Sequence, residues 1–258
     1  MAFNINGKVV IVAGAAGDIG RAIVGEFLKE GCFIVATGTN LKRLQNVLDP
    51  VIEPGTRENL RTVQMDITDS QSVKNAIDEV EKKYGRIDIL VNSAGILCRK
   101  SFFDTEKEDV VESFNVNTIG AFDLCRRVAQ VMRKNKSGTI INIGSQNGLT
   151  AIENRIAYSG SKAAITMMTK TMALELAEYG ITVNMVAPGI VDSTMALERL
   201  NTPEIRAEYE KHIPLGRLVS PLDVAYSTLF MSSPYASCIT GTVLLVDGGL
   251  LIRQSLPK

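Results

Sequence analysis

The chain of 258 residues is 45% hydrophobic and balances 28 basic against 28 acidic residues, enough apolar content for one large core and no net field to recruit nucleic acid or an anionic membrane. The start, MAFNINGKVVIVAG, lacks a basic region followed by a long apolar run, and no apolar stretch reaches the ~18 residues of a membrane span, so one cytoplasmic domain over residues 1–258 is expected. Cys32, Cys98, Cys125 and Cys238 are scattered without C-x-x-C spacing, so they read as mostly buried thiols. That spacing suggests neither a zinc site nor a disulfide scaffold, and His212, the only histidine, removes His-dependent triads and multi-histidine metal sites as strong candidates.

The first element is KVVIVAG, too short for a helix and continuously apolar, as a strand buried on both faces of a parallel sheet must be. It runs into VAGAAGDIGRA, where Gly14, Gly17 and Gly20 join that strand to a first helix. Backbone N–H groups and the helix dipole at such a junction can receive a pyrophosphate. The spacing is not G-x-G-x-x-G, however, and Asp18 brings an acid to the place of a phosphate. Asp18 is expected to cap the free N–H groups of this helix, with its carboxylate turned to solvent or local backbone.

Further apolar runs follow as CFIVAT, RTVQMDI, IDILVNSAG, GTIINIGS, ITVNMVAPG and GTVLLVDGG, which brings the strand candidates to seven. After the third, DSQSVKNAIDEVEKKYG places Val73, Ile77, Val80 and Tyr84 at three- and four-residue steps, with Asp69 or Ser70 to cap the helix and Gly85 to end it. After the fifth, YSGSK puts Tyr158 and Lys162 on one helical face. An ammonium there favours phenolate and would draw the tyrosine below its usual pKa of ~10. After the sixth, residues 192–214 are charged and helix-prone, and are expected to form a mobile lid. Strand and helix alternate without a composition break, which predicts an α/β, Rossmann-type doubly wound parallel sheet of about seven strands. Ligand-binding residues should then lie just beyond the strands' carboxyl ends.

Over nearly the full chain these motifs resemble the classical short-chain dehydrogenase/reductase family. Residues 13–20 resemble its T-G-x-x-x-G-x-G turn: Gly14 and Gly20 are kept, Asp18 stands where the middle motif glycine belongs, and Gly17 falls on a variable position. VNSAG resembles N-N-A-G with Ser93 for the second asparagine, and MDITD places Asp66 at the adenine contact. FNVNTIGAF aligns Asn117 with the catalytic asparagine, INIGSQNG puts Ser145 thirteen residues before Tyr158, and VAPGIVDST resembles the turn that holds nicotinamide.

The resemblance implies an NAD(P)-dependent oxidoreductase that moves a hydride between nicotinamide and a secondary alcohol or ketone, with Asn117, Ser145, Tyr158 and Lys162 catalytic. Tyr158 would exchange the proton, Lys162 would bias it and bind cofactor ribose, Ser145 would bond the substrate oxygen, and Asn117 would hold a water relay. The cofactor would be bound along Gly14, Gly17, Asp18, Ile19 and Gly20, then Thr39, Asp66, Ile67, Asn92, Ala94 and Gly95, and finally Tyr158, Lys162, Pro188, Gly189, Val191 and Ser193. NADP is preferred to NAD, because Gly38 occupies the position of the acid that NAD enzymes use, while Lys42 and Arg43 lie near.

Arg99, just past a strand end, together with basic residues after the N-N-A-G motif and the VDGGLLIR terminus, resembles the gluconate 5-dehydrogenase-like sugar-acid branch. Gln146, Asn154 and Arg155 join Ser145 and Tyr158 as substrate candidates. A 3-oxoacyl-thioester reductase fits IPLGRLVSPLDVA as well, and a nucleotide-sensing or scaffold protein is the non-enzymatic alternative, favoured by Asp18 alone. The family resemblance also implies a homotetramer acting on a small molecule.

Overall fold

In the computed structural model, which describes residues 3–197 and 200–253, the apolar runs form a single seven-stranded sheet. The strands are β1 (Val9–Ala13), β2 (Phe33–Gly38), β3 (Leu60–Gln64), β4 (Ile89–Asn92), β5 (Gly138–Ile143), β6 (Ile181–Pro188) and β7 (Val243–Val246). Their order is β3-β2-β1-β4-β5-β6-β7, and every neighbouring pair is parallel. After β3 the chain crosses back to the other side of β1. β1 and β4 therefore lead into diverging connections at their carboxyl ends and open the crevice where doubly wound folds take ligands.

The period of two along a strand divides the core between the faces. Val10 and Val12 of β1 pack with Val24 and Phe27 of α1 (Asp18–Lys29), Leu44 of α2 (Leu41–Leu48) and Leu229 of α9 (Pro221–Ser232). Val9, Ile11 and Ala13 pack on the other side with Val73, Ile77 and Val80 of α3 (Ser70–Tyr84), Leu124 and Val128 of α5 (Ala121–Lys134), and Ala173 of α6 (Ile156–Leu176). α3 begins as its sequence predicts. The Asp69 side chain accepts the Gln71 N–H at 2.8 Å, and Gly85 ends the helix in the left-handed region at φ 69°.

Of three local features near the site, the start of α1 differs from the sequence expectation. α4 (Lys107–Phe114) does not run directly into α5: a π-helical turn, Asn115–Gly120, joins them. Asp18 is the first residue of α1 and does not cap it; Gly17 takes the N-cap position and no side chain caps that end. The segment after β6 carries two short helices, α7 (Thr194–Leu197) and α8 (Pro203–His212), and the Arg206 guanidinium forks onto the Asp192 carboxylate at 3.0 and 2.6 Å.

Cys32 and Cys125 are buried, Cys98 is half-buried and Cys238 is exposed. His212 lies on the surface beside Glu208. Among the described residues no helix is long and apolar enough to cross a membrane, and no cluster of His, Cys, Asp or Glu could hold a metal ion.

Candidate active site

The carboxyl ends of β1, β4, β5 and β6 supply one wall of the site and the start of α6 supplies the other. Ser145 follows β5 in an extended conformation, and its hydroxyl accepts the Asn147 N–H at 3.1 Å while hydrogen bonding to the Tyr158 phenol. Tyr158 and Lys162 share the face of α6 turned to β5. The Lys162 ammonium donates to the Ile143 carbonyl at 3.1 Å and lies 5.8 Å from the centre of the Tyr158 ring.

Burial pushes the Lys162 pKa down to about 8 and raises that of Tyr158 above its usual value. The Ser145 hydrogen bond and the Arg155 charge offset the rise in part. This corrects the expectation that Lys162 draws the tyrosine down: desolvation dominates both groups, and the amine is directed to a main-chain carbonyl.

Asn117 sits in the π-helical turn, and its carboxamide closes a ring of hydrogen bonds with the loop after β4. Oδ1 accepts the Ile96 N–H at 2.8 Å, while Nδ2 donates to the Ile96 carbonyl and to the Ser161 hydroxyl, both at 3.0 Å. A Cβ at Gly95 would stand 3.0 Å from Asn117 Oδ1 and 3.4 Å from Lys162 Nζ, so the backbone past β4 threads closely between them. A π turn breaks the i→i+4 ladder and re-aims side chains, which is how Asn117 turns inward here.

The glycine-rich turn meets β4 head-on. Gly14 has φ +73°, and a Cβ there would fall 2.6 Å from both Ala94 Cα and Ala94 N; at Gly20 it would fall 2.3 Å from the Gly14 carbonyl oxygen. Only glycine fits either position. Gly17 is different, its nearest neighbour being the Gly14 oxygen at 3.6 Å, which accords with a variable position. The tight turn leaves the N-terminus of α1 facing the β1/β4 crevice, a backbone cradle that suits a dinucleotide's pyrophosphate.

A cavity of about 180 Å³ opens beside Ser145 and Tyr158. Ile19 from the turn, Pro188, Gly189, Val191 and Ser193 from beyond β6, and Arg99, Gln146 and Arg155 complete the part of its lining expected from sequence. Two buried polar atoms among these have no hydrogen-bond partner among the described residues: Arg99 Nε, a donor, and Gln146 Oε1, an acceptor. Asn154 is not brought in. It is exposed at φ 59°, and its carbonyl accepts from Arg155 Nη1 at 3.0 Å.

Other expected residues lie along the groove toward β2 and β3. Thr39 is exposed at the end of β2, with its carbonyl accepting from Gln64 Nε2, and the Asp66 carboxylate accepts the Thr68 N–H and hydroxyl in its own turn. Ile67 is buried with its carbonyl against Gly120. The Asn92 side chain lies in the sheet interior, donating to Asn142 Oδ1 at 3.2 Å, so only its main chain faces the crevice. Sequence reasoning missed Ile96 and Ser161, which hold Asn117, and Thr194, which the Asp18 carboxylate reaches across 176 residues. No local pattern signals such partners.

The family model described as "Enoyl-(Acyl carrier protein) reductase" matches residues 14–251, spanning every element that builds this site from the glycine-rich turn onward. The chain belongs to the classical short-chain dehydrogenase/reductase family. As such a dehydrogenase/reductase it is an NAD(P)-dependent oxidoreductase acting on CH–OH and keto groups. It is 36% identical to the 3-oxoacyl-[acyl-carrier-protein] reductase of Thermotoga maritima over 249 residues, covering 96% of this chain and 99% of that one. An NAD-dependent glycerol dehydrogenase of Listeria innocua is 34% identical, with 97% and 96% covered. The solved structure of a gluconate 5-dehydrogenase from Burkholderia cenocepacia, in complex with NADP and tartrate, superposes with a TM-score of 0.90 at 28% identity, covering 98% of each chain.

Proposed function

We propose that this dehydrogenase/reductase interconverts a secondary alcohol and a ketone on a small polyhydroxylated carboxylic acid, a sugar acid, with NADP preferred to NAD. The observation that carries the substrate class is the buried Arg99 Nε without a partner, on the wall of a cavity that also holds Arg155, Ser145 and Tyr158. A guanidinium left in that state matches a planar carboxylate, which completes its hydrogen bonds. The cofactor preference rests on Gly38 in place of an acid at the end of β2, with Lys42 and Arg43 in the first turn of α2.

Nicotinamide, when bound, supplies or accepts the hydride at the substrate carbon. Tyr158 gives its proton to the carbonyl oxygen in reduction and takes it back in oxidation, and the Ser145 hydroxyl donates to the same oxygen as charge develops on it. Lys162, on the same helical face with its amine held by the Ile143 carbonyl, is placed to hold the cofactor ribose. Asn117 fixes the loop after β4 through Ile96 and so keeps that wall in register with α6.

A 3-oxoacyl thioester is the second reading, supported by the relatives that carry that name. Two arginines beside Tyr158 in a cavity of about 180 Å³ favour a compact anion over an acyl chain. The four unpaired cysteines support a reducing, cytoplasmic setting. Exposed apolar side chains on α4–α6 and separately on α9 support a homotetramer.

The test is turnover of sugar acids, their uncharged polyol analogues and short 3-oxoacyl thioesters by the protein and its Arg99→Ala and Tyr158→Phe variants. Arg99→Ala is expected to raise KM for the acid roughly 10–100-fold, the worth of a charge-assisted hydrogen bond, and to leave the polyol nearly untouched. Tyr158→Phe should lower kcat by roughly 10²–10⁴ with the cofactor Kd unchanged. Equal losses on acid and polyol, or a higher kcat/KM on the thioester, would replace the sugar-acid assignment.

A further inference from the structure

Asp18 is the residue of the glycine-rich turn that departs from the family pattern, and its carboxylate turns to the segment that follows β6. One oxygen accepts the Thr194 N–H at 2.7 Å and also the Thr194 hydroxyl; the other accepts Arg21 Nη2 at 3.0 Å. Thr194 opens α7 and directly follows Ser193, which lines the cavity with Val191, Met195 and Ala196. A second tether, the Asp192–Arg206 fork, ties α8 back to the end of β6. α7 is thus anchored to the cofactor turn at Asp18, and α8 to Asp192.

We propose that Asp18 is a positioning residue, a clamp whose carboxylate holds Thr194, and with it Ser193 and the wall of the cavity, against the glycine-rich turn. This rests on reading Val191 and Ser193 as the nicotinamide side of the site. An acid beside a pyrophosphate would be expected to repel it, since like charges at close range in a low-dielectric crevice interact strongly. Here the carboxylate's lone pairs point to three donors, one of them the Arg21 guanidinium. The side chain is directed away from the N-terminal N–H groups of α1, which remain able to face phosphate. Glycine at this position has no acceptor to give Thr194, so the same turn with the family residue would leave the segment over the cavity with one tether fewer.

The variants Asp18→Gly, Asp18→Asn and Thr194→Val separate the clamp from simple repulsion. Trypsin cleavage after Arg206 and Lys211 in the cofactor-free protein reads the tether without any turnover, and NADP(H) titration and the KM-against-kcat split read its effect on the site. Asp18→Gly is expected to speed cleavage and raise substrate KM by roughly tenfold each, the loss of about one charge-assisted hydrogen bond, with kcat falling less. Asp18→Asn keeps an acceptor oxygen for Thr194 and should restore both values toward the parent. Thr194→Val, which removes the hydroxyl and keeps the N–H, should fall between, and the double variant with Asp18→Gly should add little to Asp18→Gly alone. Cleavage and KM at parental values in Asp18→Gly, or an Asp18→Asn variant as impaired as Asp18→Gly, would overturn the clamp. Tighter cofactor binding by Asp18→Gly would do the same, since repulsion would then be the stronger effect. Failure of cofactor to bind the parent protein would instead remove the functional reading beneath it, while the cleavage rates would still report on the tether.

Discussion

Lys162 is 6% exposed, and burial holds its pKa at about 8 against 10.5 in the unfolded chain. Between those values the native protein binds fewer protons at this site than the unfolded chain, so the site's contribution to stability rises as pH increases from about 8 toward 10.5. Below about 8 the buried charge weighs against the fold, by roughly 3 kcal/mol as an upper figure. Tyr158 acts oppositely: its raised pKa means that stability at that site falls as pH climbs above its ordinary ~10, which closes the useful window. Cofactor-free Lys162→Met should therefore exceed the parent in stability near neutral pH, and the gap should shrink as pH approaches 10. Urea melts across that range measure it, and a gap independent of pH would mean that Lys162 does not change charge there. The pairing of Tyr158 with Lys162 is legible as an i, i+4 step in YSGSK. The charge states are not, because they depend on how much protein from β5 and the cavity wall surrounds each group.

The turn between β1 and α1 can be checked glycine by glycine. Gly14→Ala combines φ +73° with a Cβ 2.6 Å from the Ala94 backbone, a clash that no side-chain rotation relieves. It is expected to cost more than ~2 kcal/mol and to abolish cofactor binding. Gly17→Ala at φ −82°, with nothing nearer than 3.6 Å, should cost at most about 1 kcal/mol and retain binding. Thermal melts and a cofactor titration of the pair decide the matter; equal effects would deny that Ala94 approaches the turn. The family resemblance already set Gly17 on a variable position, but the physical reason that Gly14 must be glycine was not in the sequence. Gly14 is set apart by Ala94, just past β4, and the inward turn of Asn117 by a π-helical segment, which carries no residue signature because it depends on the packing of α4 and α5 against α6.

Among the described residues, exposed apolar side chains include sets on α5–α6 and on α9. Met167 and Leu174 of α6 are 61% and 81% exposed, Ile119 of the π-helical turn and Phe122 of α5 are exposed as well, and Leu222, Tyr226 and Phe230 are exposed on α9. The homotetramer proposed above needs two distinct self-complementary contacts, and on that proposal light scattering should return about four times the 28.0 kDa chain mass. Leu174→Glu or Phe230→Glu should each reduce it to dimers, and a monomeric parent would refute the tetramer. The strand runs, their alternation with helices and the parallel sheet were readable from the sequence by itself, because each is written in local periodicity. Asn117, Ser145, Tyr158 and Lys162 were pointed to as a set by the family resemblance of short motifs. Only the tertiary structure decided that Asp18 reaches Thr194, that Arg99 and Gln146 leave unpartnered atoms beside Tyr158, that Asn154 stays outside, and that Lys162 titrates near 8. Those outcomes depend on distance and desolvation between segments up to 176 residues apart, quantities that exist only once the sheet has brought its strand ends together.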